Sequence, residues 1–252
     1  MSFDVAADAY DAFMGRYSVL LAPQLADLAG VTSGQRAIDV GCGPGALAHE
    51  LVARLGASAV TAVDPSEPFV AAAAKRHPGV DVRRSAAEDL PFDDAVFDVA
   101  LAQLVVHFMA DPVAGLGEMR RVTRPGGTVA ACVWDHAGGQ GPLGLFWHMA
   151  RSLDSGVHDE SDLAGAREGH LAQLFSAAGL RDIEARTLIA DLEHPTFDAW
   201  WDPFTRGVGP AGAYVATLSA DARVALRDAC RGELGAGPFV IPARAWATRG
   251  TV

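Results

Sequence analysis

Only three cysteines occur in the 252 residues, Cys42, Cys132 and Cys230, far apart and without CxxC spacing. That excludes a disulfide framework and supplies no zinc-ligand pattern. Cations are scarce too: 20 Lys and Arg stand against 31 Asp and Glu, a formal charge of −11, and no basic block appears. Tracking nucleic-acid phosphates or an anionic membrane surface needs clustered cations, so neither partner is expected. No apolar run approaches the roughly eighteen residues of a membrane span. The opening MSFDVAADAY has neither the basic nor the apolar region of a secretory leader. These absences predict a soluble, cytoplasmic protein with a small-molecule substrate, as a monomer or a homodimer.

Several reaction signatures are also missing. No GxxxxGK[ST] is present, which removes phosphate cradling by a P-loop. His49 and Glu50 begin an HExxH motif, but Ala53 stands where the second histidine would be, so no metal is expected. No Tyr-x-x-x-Lys pair offers hydride chemistry. The tetrad [DNS]-PP-[YFW] of amino-methylating DNA enzymes is absent, with QLVV at 103–106.

What is there is apolar. Half of the residues are hydrophobic, enough for one well-buried domain. Short apolar runs at 36–40, 59–64, 80–85, within 97–108 and at 128–134 alternate with helical patterns at 45–56, 65–77 and 112–123. Near-continuous apolar strands between helices predict an α/β fold with a mostly parallel sheet covered on both faces. A helix over about 5–29 carries Tyr10, Phe13, Met14, Tyr17, Leu21, Leu25 and Leu28 at helical spacing. After 140 the rhythm changes to helices near 143–153 and 170–180, a long strand over 181–194, a helical stretch at 196–235 and a strand at 239–250. The expectation is a single domain over 1–252, with cap helices to about residue 30, a ligand-binding core over 31–140 and a helical lid near 196–235.

The string GCGPGA at 41–46 satisfies the G-x-G-x-x-G/A fingerprint between a strand and a helix, and Asp64 closes the next strand about twenty residues on. Glycines also serve tight turns for conformational reasons alone, and the fingerprint does not separate NAD from other adenosine ligands. Asp39, two residues before the first glycine, would repel a pyrophosphate and suits a ligand carrying an ammonium or sulfonium charge. SAAEDLPF at 85–92 places polar groups and backbone N–H where an adenine edge would lie.

Together VGCGPG behind an acidic residue, Asp64, AAEDLPF after the third strand and RPGG before the fifth resemble the class I S-adenosylmethionine-dependent methyltransferases, in the ubiquinone/menaquinone-biosynthesis-like (type 11) small-molecule branch. The resemblance covers residues 1–140 well and the remainder in outline. It implies a Rossmann-like seven-stranded sheet with a reversed last strand, and S-adenosyl-L-methionine as cofactor, with S-adenosyl-L-homocysteine as product. Carried over by position, Gly41, Cys42 and Gly43 would approach the methionyl part, Asp39 its amino group and Asp64 both ribose hydroxyls. Pro65 and Ser66 would flank the adenine and Ala87 N–H would read a ring nitrogen. Ala86 stands where the family often has Asp, so Glu88 would meet the exocyclic amine. Gln103 would line the pocket mouth. On the opening helix, Arg16 is expected at the cofactor carboxylate and Tyr17 near the sulfonium, where an aromatic face suits a cation.

Methyl transfer from a sulfonium needs alignment first, and a base only when the acceptor must lose a proton. His107, just after the fourth strand, is the candidate base, with His136 second. Trp200, Trp201 and Phe204 either wall a substrate pocket or fix the insertion to the sheet. Two other readings stay open here: an NAD-dependent oxidoreductase and a catalytically idle S-adenosylmethionine-binding protein.

Overall fold

The computed structural model describes residues 7–252, so the expected helix start at residue 5 lies outside the described residues. In chain order the first half runs α1 (Ala7–Tyr10), α2 (Arg16–Ala29), β1 (Ala37–Val40), α3 (Ala46–Leu55), β2 (Val60–Asp64), α4 (Glu67–Arg76), β3 (Asp81–Arg84), β4 (Phe97–Gln103), α5 (Pro112–Val122) and β5 (Thr123–Trp134). The second half runs α6 (Gly144–Leu153), α7 (His170–Ala177), β6 (Arg181–Ile189), β7 (Leu192–His194), α8 (Phe197–Trp201), α9 (Gly209–Thr217), α10 (Ala220–Leu234), β8 (Phe239–Ile241) and β9 (Arg244–Thr251).

Seven strands form the main sheet in the order β3-β2-β1-β4-β5-β9-β6. β1 to β5 are parallel, and β9, the last strand of the chain, runs antiparallel to both of its neighbours. The strand order reverses between β1 and β4. In such sheets the crevice at the carboxyl ends of those strands is where ligands bind.

Strand periodicity splits the core in two. Val99, Leu101, Ala130 and Cys132 face the side covered by α2, α3 and α6, whereas Ala100, Ala102, Val129 and Ala131 face α5 and α7. Burial on both faces explains why these strands read as unbroken apolar runs. Asp111 caps α5 by accepting from the N–H of Val113 and Ala114 at 3.0 Å each, with Pro112 at the first helical position.

Two expected long strands are each divided. The run 181–194 breaks into β6 and β7, and 239–250 into β8 and β9, at Pro242 and Ala243. A proline gives no ladder donor, so the chain leaves the main sheet there. β7 and β8 pair with each other in a separate two-stranded ribbon, Leu192 opposite Ile241 and His194 opposite Phe239. The first helix also departs from a simple repeat. Residues Asp11–Gly15 form a π turn between α1 and α2. Among the described residues no helix is long and apolar enough to cross a membrane.

Candidate functional site

The loop after β1 is shaped by backbone hydrogen bonds. Gly41 and Cys42 both donate to the Val63 carbonyl, at 2.8 and 2.9 Å, which folds the loop over the end of β2. Gly41 has φ +72°, and a Cβ there would lie 2.4 Å from Val105 Cγ2. Packing as well as conformation therefore requires glycine. Gly43, at φ +53°, differs: a Cβ on it would meet nothing within 4 Å. Its bare backbone faces open space.

Asp64, at the end of β2, anchors this loop. Its Oδ2 accepts from Gly43 N–H at 2.9 Å and its Oδ1 from Ser66 N–H at 2.8 Å. Burial raises its pKa, opposed by those two N–H groups. Each carboxylate oxygen retains a second acceptor position, so two further hydroxyls could be bound.

Asp39 lies on β1 and is 1% exposed, and neither of its oxygens has a hydrogen-bond partner among the described residues. Desolvation and the neighbouring charge of Asp64 push its pKa up to about 8, with Ala48 N–H giving slight relief from outside hydrogen-bond geometry. An unpaired buried carboxyl is costly and calls for a cationic partner.

These groups line one cavity of about 430 Å³ at the crevice between β1 and β4. Gly41, Cys42, Gly43, Asp39, Asp64, Pro65 and Ser66 contribute to its wall from the β1–β2 side. Ala86, Ala87 and Glu88 contribute from the loop after β3, and Gln103 from the end of β4. Gln103 also ties β4 to α2, its Nε2 donating to the Ser18 carbonyl at 3.0 Å while Oε1 stays buried without a partner. Glu88 uses Oε1 to accept from Ala110 and Asp111 N–H, at 2.7 and 3.2 Å, so it braces the loop before α5. Among the described residues, four carboxyl side chains, Asp11, Asp39, Asp64 and Glu88, line the cavity and no Lys or Arg does. That electrostatic character suits a cation and opposes a pyrophosphate.

Arg16 and Tyr17 lie elsewhere. Tyr17 Oη is 3.1 Å from His194 Nε2, while Arg16 reaches His194 Nδ1 at 3.4 Å and donates to the Glu193 carbonyl at 3.2 Å. Both therefore fasten α2 to the β7–β8 ribbon. The π turn is the reason: its wider turn inserts a residue and displaces everything after it by about one position. Tyr10, Asp11 and Ser18 line the cavity instead. Tyr10 is packed edge-on against Phe69 at 5.4 Å, and burial pushes its phenol up to about 12. Phe69, Phe108 and Met109 complete the apolar wall. Sequence reasoning chose Arg16 and Tyr17 from the segment 10–18, whereas Tyr10, Asp11 and Ser18 are its residues on the cavity wall.

Trp200, Trp201 and Phe204 are core. They are 3%, 3% and 1% exposed, and Phe204 stacks on Phe146 at 4.5 Å and meets Phe13 edge-on at 4.9 Å. None of the three lines the large cavity. Of the two roles open to them, fixing the insertion to the sheet is the one their packing fulfils.

His107 and His136 do not line the large cavity either. They border a smaller adjoining one, of about 40 Å³, which shares Tyr10, Leu104 and Phe108 with it. Among the described residues no group of three or more His, Cys, Asp or Glu could hold a metal ion.

Comparison with known proteins agrees with this geometry. The methyltransferase-domain family matches residues 38–131. A malonyl-[acyl-carrier protein] O-methyltransferase of Pseudescherichia vulneris is 34% identical over 195 residues, 75% of this chain and 72% of that one. A ubiquinone biosynthesis O-methyltransferase of Cereibacter sphaeroides is 35% identical, over 62% of this chain and 64% of that one. Several curated relatives are matched over less of their length, the chain spanning 39% and 50% of two further ones. Among solved structures, the YcgJ protein of Bacillus subtilis superposes with a TM-score of 0.58 at 18% identity, covering 94% of this chain and 98% of that one, a likeness of fold.

Proposed function

The chain belongs to the class I S-adenosylmethionine-dependent methyltransferases, and from that premise we propose that it moves a methyl group from S-adenosyl-L-methionine to a small-molecule acceptor. The observation that carries this reading is the cavity at the β1–β4 crevice, with a buried Asp39 that is unpaired among the described residues, two N–H bonds holding Asp64 in place and no Lys or Arg among the described residues of its wall. Asp39 would hold the ammonium of the methionyl end, and the bare backbone at Gly43 would let that end approach closely. Asp64 would accept from the two ribose hydroxyls. Pro65, Ser66 and Phe69 on one side, with Ala86, Ala87 and Met109 on the other, would enclose the adenine. Bound there, the cofactor would supply an electrophilic methyl on sulfur.

The protein's share is alignment, for which holding two reactants in register supplies roughly 7–11 kcal/mol in favourable cases. Tyr10 presents an aromatic wall in place of Tyr17, suited to a positive charge. The helical stretch 196–235 acts as the lid, since Val208, Gly209, Pro210 and Ala211 close the smaller cavity beside the first. The net charge of −11 favours a metabolite over a nucleic acid, and three free, buried cysteines accord with the reducing cytoplasm.

Thermal unfolding with S-adenosylhomocysteine or NADH tests the reading. A ligand at a hundred times its Kd stabilises by about 2.7 kcal/mol and raises Tm by several degrees. The expected outcome is a rise with S-adenosylhomocysteine and none with NADH. The reverse would make the protein an NAD-linked enzyme.

A further inference from the structure

We propose that the small cavity bounded by His107 and His136 receives the reacting group of the acceptor, and that this group is a neutral phenolic or enolic hydroxyl whose proton passes to the histidine pair. This rests on the methyltransferase reading above and names the substrate class for the same site.

Position comes first. The cavity shares Tyr10, Leu104 and Phe108 with the cofactor cavity, so a group placed in it sits directly beside the bound cofactor. At about 40 Å³ it has room for a few waters, or for one reactive group and the carbon that bears it. Its other walls are apolar, formed by Phe13, Met14, Trp134 and Leu143.

Two histidines, with Glu160, are polar side chains of that wall. His107 Nδ1 and His136 Nε2 are buried and have no hydrogen-bond partner among the described residues. His107 is 6% exposed, its ring centre 3.9 Å from that of Phe108 and 5.6 Å from that of His136, so the two imidazoles are neighbours. Buried ring nitrogens normally have partners, so a pair of orphans beside one cavity marks a place for a ligand's polar group.

The acceptor's charge follows from what is missing. Among the described residues no Lys or Arg lines the cavity, so a carboxylate would arrive without a counterion. Burial holds both imidazoles neutral, His136 at about 4 and His107 well below its ordinary value. Glu160, the one carboxyl in the wall among the described residues, already accepts from Trp147 Nε1 at 2.9 Å and is pushed up to about 7, so an ammonium finds no settled anion. A hydroxyl needs no counterion and donates to a neutral imidazole nitrogen. A phenol, ionising near 10, is also closer to what an imidazole can deprotonate than an aliphatic alcohol is.

The step then balances. The hydroxyl oxygen forms its bond to the methyl carbon, the carbon–sulfur pair stays on sulfur, and the hydroxyl proton goes to the imidazole. The products are a methyl ether, a neutral thioether and an imidazolium. His136 also lines an open groove of about 740 Å³, together with His148 and His158, which gives that proton a way out to solvent.

The test uses three probes of one size, 4-methylphenol, benzoate and benzylamine, on the protein saturated with S-adenosylhomocysteine. Calorimetry reads affinity, and nitrogen-15 spectra of the histidine rings read which nitrogen is engaged. We expect 4-methylphenol alone to bind and to shift one His107 and one His136 ring resonance. His107→Leu and His136→Leu should each weaken it about tenfold with S-adenosylhomocysteine affinity unchanged. His107→Asn gives the same comparison if the leucine variant does not fold. Preference for benzoate or benzylamine, binding that ignores both histidines, or cofactor binding with no probe bound would overturn the assignment. Failure of S-adenosylhomocysteine itself to bind would instead remove the reading beneath it.

Discussion

The two adjoining cavities share three residues and are built on opposite chemical plans. The larger collects carboxyl groups, one of them unpaired, and is held by the ends of β1, β2 and β4 with their loops. The smaller collects apolar rings and two neutral imidazoles, drawn from the first helix, the segments after β4 and β5, the loop at Glu160 and the start of α9. The first accepts a cation. The second starts with neutral imidazoles and gains a proton only as the reaction proceeds. Placed side by side, they suit a reaction in which positive charge disappears from one partner while the other starts neutral.

The sharpest way to break the comparison is to loosen what supports the smaller cavity. Phe204→Ala empties a fully buried ring site between Phe13 and Phe146, and phenylalanine-to-alanine changes in cores lose about 3–5 kcal/mol. Denaturant unfolding should show that loss. The folded fraction should still bind S-adenosylhomocysteine with wild-type affinity, because Phe204 does not line the larger cavity.

The glycine loop offers a second contrast. Gly41→Ala drives a Cβ against Val105 at positive φ and should cost roughly 1–3 kcal/mol of stability. Gly43→Ala meets no atom, so its stability loss should be confined to the conformational strain of about 1–2 kcal/mol, while its methyl group projects into the ligand's space and weakens S-adenosylhomocysteine. Unfolding curves and calorimetry on both variants separate the two roles.

Asp39 sharpens the electrostatic half. With its pKa raised to about 8 by burial and by Asp64, the folded protein keeps a proton that the unfolded chain releases near 4. Its contribution to stability is therefore best below about pH 4, falls between 4 and 8 by up to roughly 1.4 kcal/mol per unit, and is level above. Asp39→Asn removes that slope. The variant should gain stability over wild type, more at pH 8 than at pH 5 by thermal unfolding, while binding the cofactor less well. The smallest effect belongs to Tyr17→Phe, which removes one hydrogen bond to His194 and should cost about 0.5–1.5 kcal/mol with no change in cofactor affinity.

The larger cavity was the more legible in sequence because its residues lie close to the strand ends that the apolar runs reveal. Asp39, Gly41, Gly43 and Asp64 stand at or just past the ends of the first two apolar runs, and with Ala87 they lie in the motifs that carry the family resemblance. Legibility failed on the opening helix, where heptad spacing puts Tyr10 and Tyr17 on one face and the π turn at 11–15 separates them. It failed again at Pro242, whose missing N–H turns one expected strand into two. The smaller cavity was legible only in His107, through its place after the fourth strand, and in His136 as the second candidate, since Met14, Glu160 and Pro210 join them only through tertiary packing. Isolated histidines carry no spacing signal, and Trp200 and Trp201 look the same in a sequence whether they wall a pocket or fill a core.

The measurement closest to the central claim is calorimetric titration of S-adenosylhomocysteine into wild type and Asp64→Ala. Hydrogen bonds to a charged group contribute about 1.5–3 kcal/mol, so removing the carboxylate should weaken binding by about tenfold or more. One-to-one binding in the wild type with that loss in the variant is the predicted result. Equal affinity for both proteins would contradict the account, because the ribose could not then sit on Asp64.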